Sequence, residues 1–123
     1  MVIDTTLFIE HLRATKKKET TLATLPEDAE LYVSAVTAYE LYIGAKTPEK
    51  QSDVDLLLAG LEILPFSFPV AQLAGDIFHN LRTRNQLIEF RDIFIGATAL
   101  HYNIPVKTLN TKHFERIEGL DLC

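Results

Sequence analysis

Cysteine is almost missing from this chain. The only one, Cys123, is the final residue of the sequence. No internal disulfide can form, and a reducing, cytoplasmic setting is the expectation. Long apolar runs are missing too. The longest, such as Ile93 to Leu100, falls far short of the roughly 20 residues that span a bilayer, so no membrane partner is expected. The N-terminus does not read as a secretion signal, because Asp4 and Glu10 interrupt it too early. Positive charge is scarce: 12 Lys and Arg stand against 17 Asp and Glu, a net charge of −5. That balance excludes a protein whose whole surface draws in nucleic acid. No repeat, linker or low-complexity stretch is visible, so residues 1–123 are expected to form a single domain.

What is present is a sequence of 123 residues, 47 % of them hydrophobic, enough for one packed core. The opening order reads strand, helix, strand, helix, which predicts βαβ units and an α/β fold. Met1 to Asp4 forms the first strand and Thr5 to about Thr15 a helix, with Leu7, Phe8, His11 and Leu12 on one face. Lys16-Lys17-Lys18 marks a break before a second short amphipathic turn carrying Leu22 and Leu25. Glu30 to Val33 is the second strand. Ser34 caps the next helix, which runs from Ala35 to about Ala45. Leu56, Leu57, Leu58 and Leu61 belong to a helix that leads into a third strand, Ile63 to Phe66. Val70, Leu73, Ala74, Ile77, Phe78 and Leu81 give the clearest helical period, over Val70 to Arg84. Arg91-Asp92 opens a buried helix, Ile93 to about Tyr102, whose Gly96, Ala97 and Ala99 allow it to lie close to the sheet. A fourth strand covers Ile104 to Thr108. Leu109 to Phe114 reads as a largely polar turn, and Leu120 to Leu122 as a short edge strand. The expected architecture is a central parallel sheet of about four or five strands flanked by helices.

Asp4 closes the first strand and therefore stands at the C-terminal edge of the sheet, where sites form in open α/β folds. Glu40 sits nearly two turns into the helix after the second strand, among Tyr39, Leu41, Tyr42 and Ile43. Asp92 lies in the first turn of its helix, where the macrodipole favours negative charge. Each acid has a plainer reading: Asp4 as a helix cap, Glu40 as a solvated helix residue, Asp92 as a first-turn acid. Together they are harder to dismiss, because each adjoins an apolar stretch where an unpaired charge is costly. Converging carboxylates need a cation between them, and hard oxygen donors suit magnesium. The expectation is magnesium-dependent chemistry on a phosphate.

Four pieces, in order, resemble a known family: Ile3-Asp4-Thr5-Thr6-x-x-Ile9; Ser34-Ala35-Val36-Thr37-Ala38-Tyr39-Glu40-Leu41; Asp92-Ile93-Phe94-Ile95-Gly96-Ala97-Thr98-Ala99; and Thr108-x-Asn110-x-x-His113-Phe114. The chain is similar over essentially its whole length to the PIN domain, specifically to VapC-type toxin ribonucleases. The resemblance implies a PIN-like fold and a Mg²⁺- or Mn²⁺-dependent endoribonuclease that hydrolyses RNA phosphodiester bonds. It also implies a cognate antitoxin and a homodimer. Asp4, Glu40 and Asp92 take the roles of catalytic metal ligands. The family usually supplies a fourth acidic or polar ligand from the last motif. Here Asn110 and His113 occupy that region; Asn110 offers a carbonyl oxygen to a metal or its water, and His113 either contacts phosphate or packs.

Two rival readings remain open. An aspartyl-phosphate phosphohydrolase would use Asp4 as nucleophile, but Thr6 stands where such enzymes often carry a second acid. A catalytically weak or inactive module on the same fold would bind protein through its acidic groove. Thr5, Thr6 and Thr108 either orient metal-bound water or cap helices. Lys16, Lys17, Lys18, Arg82, Arg84 and Arg91 are candidates for gripping an RNA backbone. Tyr32, Tyr39, Tyr42 and Ile43 are candidates for an apolar surface stripe facing a dimer partner or antitoxin.

Overall fold

Val2 and Ile3 form a strand of only two residues, yet both are wholly buried and each serves a different face of the sheet. Val2 joins one apolar cluster and Ile3 the other, as the two-residue period of a strand requires. The structure, a computed structural model, describes residues 1–123. After β1 (Val2–Ile3) come α1 (Thr5–Arg13), β2 (Tyr32–Ser34), α2 (Ala35–Gly44), α3 (Pro48–Leu58), β3 (Glu62–Leu64), α4 (Phe68–Thr83), α5 (Phe90–Tyr102), β4 (Val106–Lys107) and α6 (Thr111–Phe114). Two single turns of 3-10 helix, Lys17–Glu19 and Leu22–Thr24, bridge α1 and β2.

The four strands are parallel and lie in the order β3-β2-β1-β4. Val2 pairs with Tyr32 on one side and with Val106 on the other. The chain therefore builds outward from β1 in one direction and returns to its other side with β4. That reversal opens a crevice at the C-terminal ends of β1 and β4. Residues Asp4 and Thr108 stand there.

Helices cover both faces. Leu7 and Phe8 of α1, Leu41 of α2 and Val54 and Leu58 of α3 pack with Ile3 and Val33. Val70, Ala74, Ile77 and Leu81 of α4 pack with Ile93, Ile95, Ala97 and Ala99 of α5 and with Val2, Leu64 and Val106 on the opposite face. No helix is long and apolar enough to cross a membrane.

Several boundaries differ from the sequence reading. Leu109 to Phe114 is not a plain polar turn, because Thr111–Phe114 winds into a short helix that buries Phe114 completely. Leu120 to Leu122 contributes a single parallel bridge, Leu122 to Val106, rather than a strand. Gly96 serves the C-terminal segment rather than the sheet: a Cβ there would stand 2.5 Å from the end of the Ile117 side chain. Tyr32 leaves the proposed stripe, since it packs against the α4/α5 cluster. Tyr39 and Ile43 remain on the outer surface of α2, 66 % and 56 % exposed.

Candidate active site

Asp4 ends β1 and stands at the N-cap position of α1, but its carboxylate caps no backbone amide. It is only 2 % exposed. Its Oδ2 accepts hydrogen bonds from the hydroxyls of Thr6 (2.8 Å) and Thr108 (2.7 Å). Both hydroxyls are in turn fixed by backbone: Leu109 N–H donates to Thr6 (3.2 Å) and Asn110 N–H to Thr108 (2.9 Å). The loop after β4 is thereby tied to the end of β1, and Oδ1 of Asp4 takes no donor from the protein. The simple capping reading of Asp4 fails, as does that of the threonines.

Glu40 is no solvated helix residue either, since its side chain is 13 % exposed. Oε1 accepts from the Thr5 hydroxyl at 2.9 Å, which itself lies 3.0 Å from the buried Thr37 hydroxyl. One hydroxyl carries one proton, so Thr37 donates to Thr5 and Thr5 to Glu40. Oε2 faces the Arg91 guanidinium at 3.1 Å. Thr37 precedes Glu40 by three residues on α2, the spacing that puts two side chains on one helix face. That spacing was the signal available for Thr37, which the sequence reading passed over.

Asp92 is held by the last motif. Its Oδ2 lies 2.9 Å from His113 Nδ1, and that nitrogen lies 2.7 Å from Asn110 Nδ2. The side chain of Asp92 is 17 % exposed. Asn110 thus adjoins the cluster through His113, and because Nδ1 donates to Asp92 the Asn110 amide can meet that N–H only with its oxygen.

The acids sense one another. Burial is the main cause pushing both Glu40 and Asp92 above the ordinary carboxylate range. The charge of Asp4 raises both further, and Asp92 adds to Glu40. The Thr5 hydrogen bond and Arg91 oppose the rise at Glu40, as His113 does at Asp92. No set of three Asp, Glu, His or Cys side chains is arranged to grip a metal ion outright as it stands. The donors still suit one: hard carboxylate oxygens beside hydroxyls are the ligands a small divalent cation accepts, and magnesium needs few of them because it retains water. Asp4, Glu40 and Asp92 are the residues able to hold it.

The expected backbone-gripping cations divide. Lys17 is committed elsewhere, donating to the carbonyls of His11 (2.7 Å), Leu12 (3.0 Å) and Ala14 (3.0 Å) at the end of α1. Arg84 is tied to Asn80, Gln86 and the carbonyl of Arg116. Arg91 bridges Glu40 and Glu89. Lys16, Lys18 and Arg82 are exposed. Beside Glu40, a cleft of about 330 Å³ opens between α1, α2 and α3, with Leu12, Leu41 and Val54 along it and Arg13, Lys50 and Asp53 at its rim.

The PIN domain sequence profile matches residues 1–120. Ribonuclease VapC10 of Mycobacterium tuberculosis is 32 % identical over 120 residues, spanning 98 % of this chain and 90 % of that protein. Ribonuclease VapC of Rickettsia bellii is 31 % identical over 129 residues, spanning 99 % and 93 %. Among solved structures, VapBC2 from Rickettsia felis bound to a promoter DNA fragment superposes with a TM-score of 0.86 at 25 % identity, covering 99 % of this chain and 96 % of that one. FitAcB from Neisseria gonorrhoeae superposes at 0.79 with 26 % identity, covering 99 % and 96 %.

Proposed function

The chain belongs to the PIN-domain family, among its VapC proteins, and from that premise we propose that it is a divalent-metal-dependent endoribonuclease, the toxin of a toxin–antitoxin pair. What supports the reading is that Asp4, Glu40 and Asp92, on three separate elements, stand near enough for their charges to act on one another, with Asp4 in the crevice where the strand order reverses. The chemistry expected there is hydrolysis of an RNA phosphodiester bond.

When bound, a Mg²⁺ or Mn²⁺ ion supplies charge neutralisation at the phosphate and acidifies a water for attack. The chain's own residues hold the ligands still. Thr6 and Thr108 fix one oxygen of Asp4 and leave the other for the ion. Thr37 and Thr5 orient Glu40, and His113 orients Asp92. These second-layer hydrogen bonds set the direction and basicity of the ligands. Asn110 acts through His113, with its carbonyl oxygen as a further ligand to the ion or its water. Exposed Lys16, Lys18 and Arg82 are the cations left for the RNA backbone.

The expected partners are a cognate antitoxin and a second copy of the chain, within the cytoplasm. The apolar cleft that ends at Glu40 supports the first, since a protein segment bearing a cation would complement it. Asp4 as a phosphate-accepting nucleophile is disfavoured because Thr6, a hydroxyl donor to Asp4, stands where such enzymes often carry a second acid. The test is RNA cleavage by purified protein with and without Mg²⁺. Wild type is expected to cleave only with the metal. Asp4→Asn, whose amide oxygen still accepts the two threonine hydroxyls, is expected to fold and lose at least about a hundredfold in rate. Full metal-dependent cleavage by that variant contradicts the assignment. A wild-type protein that binds antitoxin but cleaves no RNA favours the inactive-module reading.

A further inference from the structure

Of the three acids, only Glu40 has both oxygens engaged by the protein. Oε1 takes the Thr5 hydroxyl and Oε2 takes Arg91. Asp4 and Asp92 each spend Oδ2 and keep Oδ1 free of protein donors. A cation that draws on Glu40 therefore meets a cation already paired with it.

We propose that Arg91 is a resident counter-ion and positioning residue. It occupies Oε2 of Glu40 until a divalent ion arrives, and Glu89 retains the guanidinium when it leaves. The proposal rests on the preceding reading that the cluster binds such an ion. The geometry suits a latch. Arg91 is fixed at the start of α5, one residue before Asp92, so only its side chain has to move. That side chain is 58 % exposed, whereas Glu40 is 13 % exposed, so the guanidinium can turn outward without uncovering core. Glu89, 63 % exposed, already contacts its second nitrogen. A guanidinium and a divalent ion repel strongly at contact distance, so the two compete for Glu40 even though a carboxylate has lone pairs for several partners. An ion pair with one partner so exposed is weak, so the latch delays loading without preventing it. Arg91 is also the positive charge that offsets burial of the Glu40 carboxylate.

The test is titration of the full chain with MnCl₂, followed by calorimetry or by the spin signal of free Mn²⁺. Arg91→Gln is expected to bind Mn²⁺ roughly three- to fivefold tighter than wild type, the upper part of the range set by losing a weak competing pair. A merely structural arginine would leave affinity unchanged or lower it. Lys46→Gln removes the same charge from an exposed position between α2 and α3 that pairs with none of the three acids, and is expected to stay within about twofold. Arg91→Met, which keeps the apolar stem, provides a second variant should the glutamine protein misfold. Unchanged or weaker Mn²⁺ binding in the Arg91 variants overturns the latch, as does equal tightening in Lys46→Gln. Asp4→Asn separates the two claims. If it loses Mn²⁺ while Arg91→Gln gains nothing, the latch fails and the metal site stands. If it binds as wild type does, the metal site fails and the latch with it.

Discussion

At the residue scale, the candidate site is bought with stability. Glu40 and Asp92 are held above their ordinary values of 4.5 and 3.8, chiefly by burial. For an acid whose folded pKa exceeds its unfolded one, the native state binds more protons in the window between them. Stability then falls as pH rises through that window. Both groups therefore cost stability at neutral pH when no metal is bound. In EDTA at pH 7.5, Asp92→Asn is expected to melt roughly 2–4 °C above wild type, which corresponds to less than 1 kcal/mol in a domain of this size. The gap should narrow as the pH is lowered toward 3.8, the ordinary value for Asp. A gap that is absent at neutral pH, or constant with pH, contradicts the account. Thr108 carries the opposite sign. Its hydroxyl serves Asp4 and the Asn110 amide together, so Thr108→Val should cost about 1–3 kcal/mol in urea unfolding, while Thr108→Ser stays near wild type. The places of the three acids, after a strand and on two helices, were legible from the local pattern. Their partners were not, because Arg91 on Glu40 and His113 on Asp92 are contacts between separate elements that no local pattern encodes.

At the element scale, the short strands act as anchors and the helices carry the cores. Ser34 ends β2 and caps α2, accepting from the Val36 amide at 3.1 Å while fully buried. Ser34→Ala is expected to cost about 1 kcal/mol through the lost cap. Because α2 carries Thr37 and Glu40, the same variant should also loosen Mn²⁺ binding. A melting temperature unchanged from wild type would show that the cap is dispensable. The α4 face and the Ser34 cap were readable because periodicity and capping chemistry are local. The four-residue α6 was not, because a single turn has no period and is held by the burial of Phe114. Lys17 misled for a related reason: a run of lysines looks solvated, while this one closes the last turn of α1.

At the scale of the whole molecule, strand order turns scattered acids into one cluster. Because β1 lies between β2 and β4, the first strand's terminal carboxylate meets residues more than a hundred positions away, as the Asp4–Thr108 contact shows. Opposite apolar clusters hold the sheet from both sides. The central claim is that Asp4, Glu40 and Asp92 share a divalent ion. Crystals soaked in Mn²⁺ and measured for anomalous scattering test it most directly. The account predicts a peak about 2–2.5 Å from carboxylate oxygens of Asp4 and Asp92, with the Arg91 guanidinium off Glu40. An anomalous map with no peak among these carboxylates, from protein that cleaves RNA in the same Mn²⁺, would contradict it.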